Sequence, residues 1–170
     1  MSTSLPELSM SLLYSGPSLA VLHDEYAARG RVDPDAQLTS SSRLVVDAPV
    51  DRVWTVMADL WAWPSWASGI RILELGDVRP GAPFRWRLNG VPLRSRFAVV
   101  DPQRELTWTG TFLGRYRAVD RHVLEPLEGG RTRITVEESL AGPLLPLFYR
   151  ESMLRANHER WLSDLARATA

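Results

Sequence analysis

Between residues 43 and 140 the chain alternates apolar and polar side chains in short runs separated by turn residues; beyond residue 143 the period becomes helical. The alternation predicts strands over 43–47, 70–75, 83–88, 91–100, 105–112, 115–124 and 132–140. Asn89-Gly90 is a strong hairpin signal, because both residues accept the positive φ that a two-residue turn demands. Asp101-Pro102, Leu113-Gly114 and Glu128-Gly129-Gly130 punctuate the later boundaries. After the first strand, residues 50–58 place Val53, Trp54 and Met57 on one helical face. Residues 60–68 carry Trp61, Trp63 and Trp66 around Pro64, which breaks the stretch into a helical corner.

Residues 143–168 form the long helix, with Pro146 tolerated in its first turn. Leu144, Leu147, Phe148, Leu154, Trp161 and Leu165 make an apolar stripe; Ser152, Ala156, Glu159 and Ser163 lie opposite. About twenty helical residues span roughly 30 Å, so such a helix needs a sheet to lie in. The expected fold is α+β: a curved antiparallel sheet of about seven strands around the C-terminal helix, with two short helices after the first strand. Residues 1–41 read as an extension and 42–170 as the domain. The extension holds a helix over 17–29, capped by Ser15 or Ser18 and stopped by Gly30, then a polar connector over 32–42. His23 is expected on that helix's surface, without a role.

Composition removes several function classes. With 45% apolar and 24% charged residues, 170 residues can build one domain with a real core. No apolar run approaches the roughly 18–20 residues of a membrane span. The N-terminus lacks the pattern of a secretory signal, so the protein is expected in the cytoplasm. The absence of cysteine excludes disulfides, thiolate zinc sites and cysteine nucleophiles. Every basic residue is arginine, which excludes lysine Schiff-base chemistry. Net charge is zero and the arginines are dispersed, so no nucleic-acid footprint appears. His23, His122 and His158 lack metal-ligand spacing, and neither a metal nor another cofactor is expected.

Period two also assigns faces. Phe84, Trp86 and Leu88 form one row, as do Leu93, Ser95, Phe97 and Val99, and Leu106, Trp108, Gly110 and Phe112. The opposing arginine and threonine rows are expected in water, which turns the aromatic rows toward the helix. On the last two strands the inward row takes in Asp120, His122 and Glu138. A hairpin at Gly129-Gly130 pairs residues whose numbers sum to about 258–260, which sets Asp120 opposite Glu138 or nearby, and His122 opposite Val136 or Glu138. Buried charges must pair, shift their pKa or meet water in a cavity. The bland alternative is a self-satisfied buried network. Glu151 and His158, seven apart on the helix stripe, and Trp63, Trp66, Trp86 and Trp108 complete the candidate lining.

The phrases VDAPVDRVWTVMADLWAWPSW, LTWTGTF, VDRHVLEPLEGGRTRITVEESLAGPL and WLSDL occur in that order over residues 42–168. They resemble the START/Bet v 1-like (SRPBCC) superfamily, in its polyketide cyclase/dehydrase-like branch. That resemblance implies a helix-grip fold around a cavity for a hydrophobic, aromatic or polyketide-like molecule. Two readings stay open. In one, the protein is a cyclase or dehydratase in which His122 and Glu138 are the catalytic acid–base pair. In the other it is a lipid, quinone or metabolite carrier in which His122, Asp120 and Glu138 only orient the ligand's polar end. Trp63, Trp66, Trp86, Ser95, Trp108, Asp120, Glu151 and His158 are the ligand-binding candidates. A third and weaker reading is a protein-interaction module with a filled core. The sequence sets no oligomeric state.

Overall fold

Alternating side chains from residue 38 to residue 141 assemble one antiparallel sheet in the computed structural model, which describes residues 12–13 and 16–170. The strands are β1 (Leu38–Val46), β2 (Ile70–Leu75), β3 (Pro83–Leu88), β4 (Val91–Asp101), β5 (Glu105–Phe112), β6 (Tyr116–Leu127) and β7 (Arg131–Ala141). Their spatial order is β1-β7-β6-β5-β4-β3-β2. Helices α1 (Val50–Ala58) and α2 (Trp63–Trp66) follow β1, and α3 (Glu151–Thr169) closes the chain. This is the expected α+β, helix-grip arrangement. Asn89 and Gly90 turn the β3–β4 hairpin with φ of 50° and 85°, the left-handed pair that the dipeptide predicts.

The concave face of the sheet holds the main core, and Trp63 is its hub. Its ring, 1% exposed, meets Trp66, Trp86, Trp108 and Trp161 at centroid distances of 5.8–6.3 Å. Its Nε1–H donates to the Met57 carbonyl at 2.9 Å, so the indole is both packed and hydrogen-bonded. The α3 face that lies on the sheet buries Leu154, His158, Leu162 and Leu165.

Four expectations need correction. Strand β1 begins at Leu38, inside the segment read as a connector, because Leu38–Val46 pairs throughout with Thr132–Leu140 of β7. Helix α3 begins at Glu151; before it Leu145–Leu147 forms a 3-10 turn that leaves Leu147 and Phe148 exposed. A bulge between Phe97 and Val99 shifts the β4 row, so that Val100 opposes inward-facing Leu106 and packs in the core. The threonine row is not in water: Thr107 and Thr109 are 0% and 2% exposed.

The cover over that convex face is the N-terminal segment, whose helical turns run from Leu19 to Arg29. Ser18 caps it at Val21 N–H and Gly30 ends it with φ of 64°; Ser15, the other cap candidate, lies outside the described residues. Leu22 and Ala27 bury against Ala98 and Val119 on the convex face. His23 is likewise buried, 2.9 Å from Thr109 Oγ1, and burial together with the Arg96 charge lowers its pKa. Below the segment, Arg121 reaches Glu105 at 3.0 Å and Glu137 at 2.7 Å.

Candidate functional site

Strand register decides which polar groups meet. Ser40 of β1 opposes Glu138 of β7, Glu138 opposes Asp120 of β6, and Asp120 opposes Trp108 of β5. One cross-strand row therefore carries Ser40, Glu138, Asp120 and Trp108 over four neighbouring strands. The next row places Val136, His122 and Leu106 side by side. Successive residues of one strand point to opposite faces, so Asp120 and His122, two apart, share the concave side.

Between these rows and α3 lies a cavity of about 400 Å³, within the size range of small-molecule sites. Trp63, Trp86, Trp108 and Trp161 form its aromatic wall, and Asp120, His122, Glu138 and His158 are its polar wall. Exposed lining residues mark the mouth: Asn89 and Val91 at the β3–β4 turn, Leu113 at the β5–β6 turn, Phe148 ahead of α3 and Arg160 on it. Leu113 is 71% exposed, so the lip is apolar as well as the interior.

The polar wall divides into a bonded pair and an unbonded one. His158 Nε2 lies 2.7 Å from Glu138 Oε2, a hydrogen bond from α3 across to β7. His122 Nδ1 is 3.6 Å from Asp120 Oδ1, beyond hydrogen-bond range, and neither atom has a hydrogen-bond partner among the described residues. The Glu138 partner is thus His158, where the sequence pattern favoured His122. His122 instead stacks on Trp108 at 4.7 Å, tilted by 20°, with Trp161 at 4.6 Å. Burial, then the His158 charge, lowers its pKa to about 3 against a weaker opposing hydrogen bond to the Leu106 backbone. The imidazole of His122 is neutral at ordinary pH.

Asp120 is driven the other way. Burial first, and the facing Glu138 charge second, raise its pKa well above the usual carboxylate range. Tyr149, on the same wall, is also raised by burial and by Glu138, while Asn157 donates to its hydroxyl at 2.9 Å. Asp120, Glu138 and His158 each present one polar atom, and these lie within 4.8 Å of one another.

The remaining sequence candidates fall into two groups. Trp63, Trp86 and Trp108 line the cavity. Trp66 packs behind Trp63 and Trp161 at 6.1 and 5.8 Å. Ser95 lies beneath Trp86, accepting its indole N–H at 3.0 Å; a side chain at Gly110 would put Cβ 3.1 Å from the Ser95 hydroxyl. Glu151 sits on the solvent side of α3, 53% exposed and ion-paired with Arg155, away from the cavity. Tyr116 and Arg117 bond to the Pro143 and Pro17 carbonyls.

A sequence model of the family described as polyketide cyclase/dehydrase and lipid transport matches residues 37–169. The chain belongs to this family. Membership suggests hydrophobic small-molecule binding and extends over the whole sheet and α3, including β1. No curated protein matches the chain significantly. Solved structures of similar fold include a hypothetical protein from Helicobacter pylori (16% identity, TM-score 0.71, covering 81% of this chain and 90% of that one). A Chromobacterium violaceum protein is 19% identical, with TM-score 0.65 over 77% and 96% of the two chains. A putative protein of the dynemicin biosynthetic locus is 24% identical, with TM-score 0.62 over 79% of this chain and 47% of that one. At these identities the likeness is one of fold. Among the described residues, no helix is long and apolar enough to cross a membrane.

The sequence pattern does not reveal two residues that line the cavity, Trp161 and Tyr149, nor Ser40 beside it. Trp161 was assigned to the helix stripe but not to the cavity, although it follows His158 by three residues on the same face. Tyr149 precedes α3 in a turn that alternation does not describe. Ser40 was hidden in a serine run that reads as a linker, and only the β1–β7 pairing brings it to Glu138.

Proposed function

We propose that the cavity binds a hydrophobic, flat small molecule and cyclises or dehydrates it by acid–base chemistry, as for an aromatic or polyketide-like intermediate. The observation that carries this reading is the indole-walled cavity with a carboxylate–imidazole cluster on one wall. Aldol closure requires a base for an α-proton and an acid for the leaving oxygen. Glu138, held by His158, has the position of the base. His122, being neutral and stacked on Trp108, fits a hydrogen-bonding role beside it rather than that of a proton donor. The indole faces would hold the substrate folded, and orientation can supply a large part of a rate enhancement.

The competing reading is a carrier with the same cavity and no turnover. Glu138→Gln separates the two. For an enzyme, turnover of a poly-β-carbonyl substrate is lost while ligand affinity stays within about tenfold, or roughly 1.4 kcal/mol. For a carrier, mass spectrometry of the purified protein finds an unaltered ligand, and the substitution acts on affinity alone. Equal losses of binding and turnover in the variant contradict the catalytic assignment.

A further inference from the structure

The polar wall contains an electrostatic problem that only one of its two carboxylates has solved. Asp120 and Glu138 stand directly opposite each other on β6 and β7, with Trp108 beside Asp120 on β5. Two like charges at such range, shielded from water, repel by several kcal/mol. Glu138 has His158 at 2.7 Å. Among the described residues Asp120 has no charged basic partner: His122, 3.6 Å away, is neutral, and Arg121, next in sequence, points to the convex face and is taken up by Glu105 and Glu137.

We propose that Asp120 meets the ligand as an uncharged carboxylic acid, donating its O–H to a carbonyl or phenolic oxygen, so that the cavity selects neutral oxygen acceptors over carboxylates. This rests on the small-molecule reading above and adds the chemical class of the ligand's polar end. The groups around Asp120 agree with it. Glu138 from β7 repels a charged Asp120, and neutral His122 on β6 gives it no compensation. His158 of α3 is engaged with Glu138, Tyr149 is held by Asn157, and Arg160 lies out at the mouth. Burial and the Glu138 charge both favour the protonated form. A divalent cation would also relieve the repulsion, but to use Glu138 and His158 it would first have to part their hydrogen bond. A cationic ligand would find Glu138 already matched.

The test is calorimetric titration at pH 7 with three probes of one shape: 2-acetylnaphthalene, 2-naphthoate and 2-(aminomethyl)naphthalene. The ketone is expected to bind at least about tenfold tighter than the carboxylate or the amine, the worth of one buried hydrogen bond set against a like charge. Asp120→Asn, whose amide still donates, keeps the ketone within about threefold, whereas Asp120→Leu loses about tenfold. Raising the pH weakens ketone binding to the unsubstituted protein and leaves the Asn variant unchanged. Thermal melts establish that both variants are folded. Equal or tighter binding of the carboxylate or amine overturns the proposal. So does binding that requires added Zn²⁺ or Mn²⁺ and vanishes with EDTA. If none of the probes binds, the small-molecule reading falls and this inference with it.

Discussion

Replacing His122 with Phe removes an acid sensitivity from the core. The ring is 3% exposed, stacked on Trp108, and has its pKa lowered from 6.5 to about 3, chiefly by burial. Above about pH 3 the folded chain holds no proton there, whereas the unfolded chain takes one up as pH falls through 6.5. The stability contribution is therefore complete above pH 6.5 and declines as pH falls toward 3, by about tenfold in the folding constant per unit. At pH 4.5, two units below, the loss is about 3 kcal/mol, a large share of the 5–15 kcal/mol typical of a domain. Phenylalanine keeps a flat ring on Trp108 and does not titrate; losing the hydrogen bond to the Leu106 backbone adds a pH-independent cost of about 1 kcal/mol. Urea unfolding of both proteins between pH 7.5 and 4.5, followed by tryptophan emission, gives the difference curve. Asp120, Glu138 and His158 face the ring in both proteins, so their contributions cancel to first order. The variant should gain about 3 kcal/mol on the unsubstituted protein between pH 6.5 and 4.5. A flat difference refutes the buried neutral imidazole.

Three further substitutions test the frame that holds the site. Trp63→Ala empties the hub of the indole cluster and strands the Met57 carbonyl; denaturant unfolding should show a loss of about 3–5 kcal/mol, and less than 1 would contradict close packing there. Arg121→Met leaves Glu105 and Glu137 without their shared cation. Because the arginine is about one-fifth exposed, the expected cost by denaturant unfolding is about 1–3 kcal/mol, below that of breaking a fully buried pair. Leu22→Ala should cost about 2–4 kcal/mol and speed proteolysis within residues 16–33, if that segment is a true cover for Ala98 and Val119.

How far the sequence could be read depended on whether the deciding interaction was local. Asn89-Gly90 and Glu128-Gly129-Gly130 carry their turn chemistry with them, so both hairpins and the pairing of Asp120 with Glu138 were legible. The onset of α3 was not, because Leu147 and Phe148 continue the helical stripe numerically while remaining outside the helix. Burial of Thr107 and Thr109 was invisible for a different reason: the Leu19–Arg29 segment that covers them lies some eighty residues away in sequence. The histidine partnership failed on the same ground. The alternation puts His122 and Glu138 on one face, but the rotation of α3, which brings His158 to Glu138, is a matter of tertiary packing.

The uneven satisfaction of the polar wall bears on why a cavity persists here. Asp120 Oδ1, His122 Nδ1, His158 Nδ1 and Ser40 Oγ are all buried without a hydrogen-bond partner among the described residues. Each such group costs about 1–3 kcal/mol, and apolar residues of like size would fold more tightly. Asp33 Oδ2, Ser42 Oγ and Trp66 Nε1 are also buried without such a partner, whereas Trp63 reaches Met57, Trp86 reaches Ser95, and Thr132 donates to the Ala48 carbonyl at 2.8 Å. Nearly half of this deficit, three of the seven atoms among the described residues, lies on the cavity wall at Asp120, His122 and His158. A fold tuned for stability alone would have removed it, whereas a cavity that receives a ligand's polar end needs donors and acceptors not already engaged with one another. On the aromatic wall opposite, the indole N–H groups of Trp63 and Trp86 are already committed to the protein. On the proposed reading, the carboxyl and imidazole groups orient the bound molecule and the tryptophans contribute contact area.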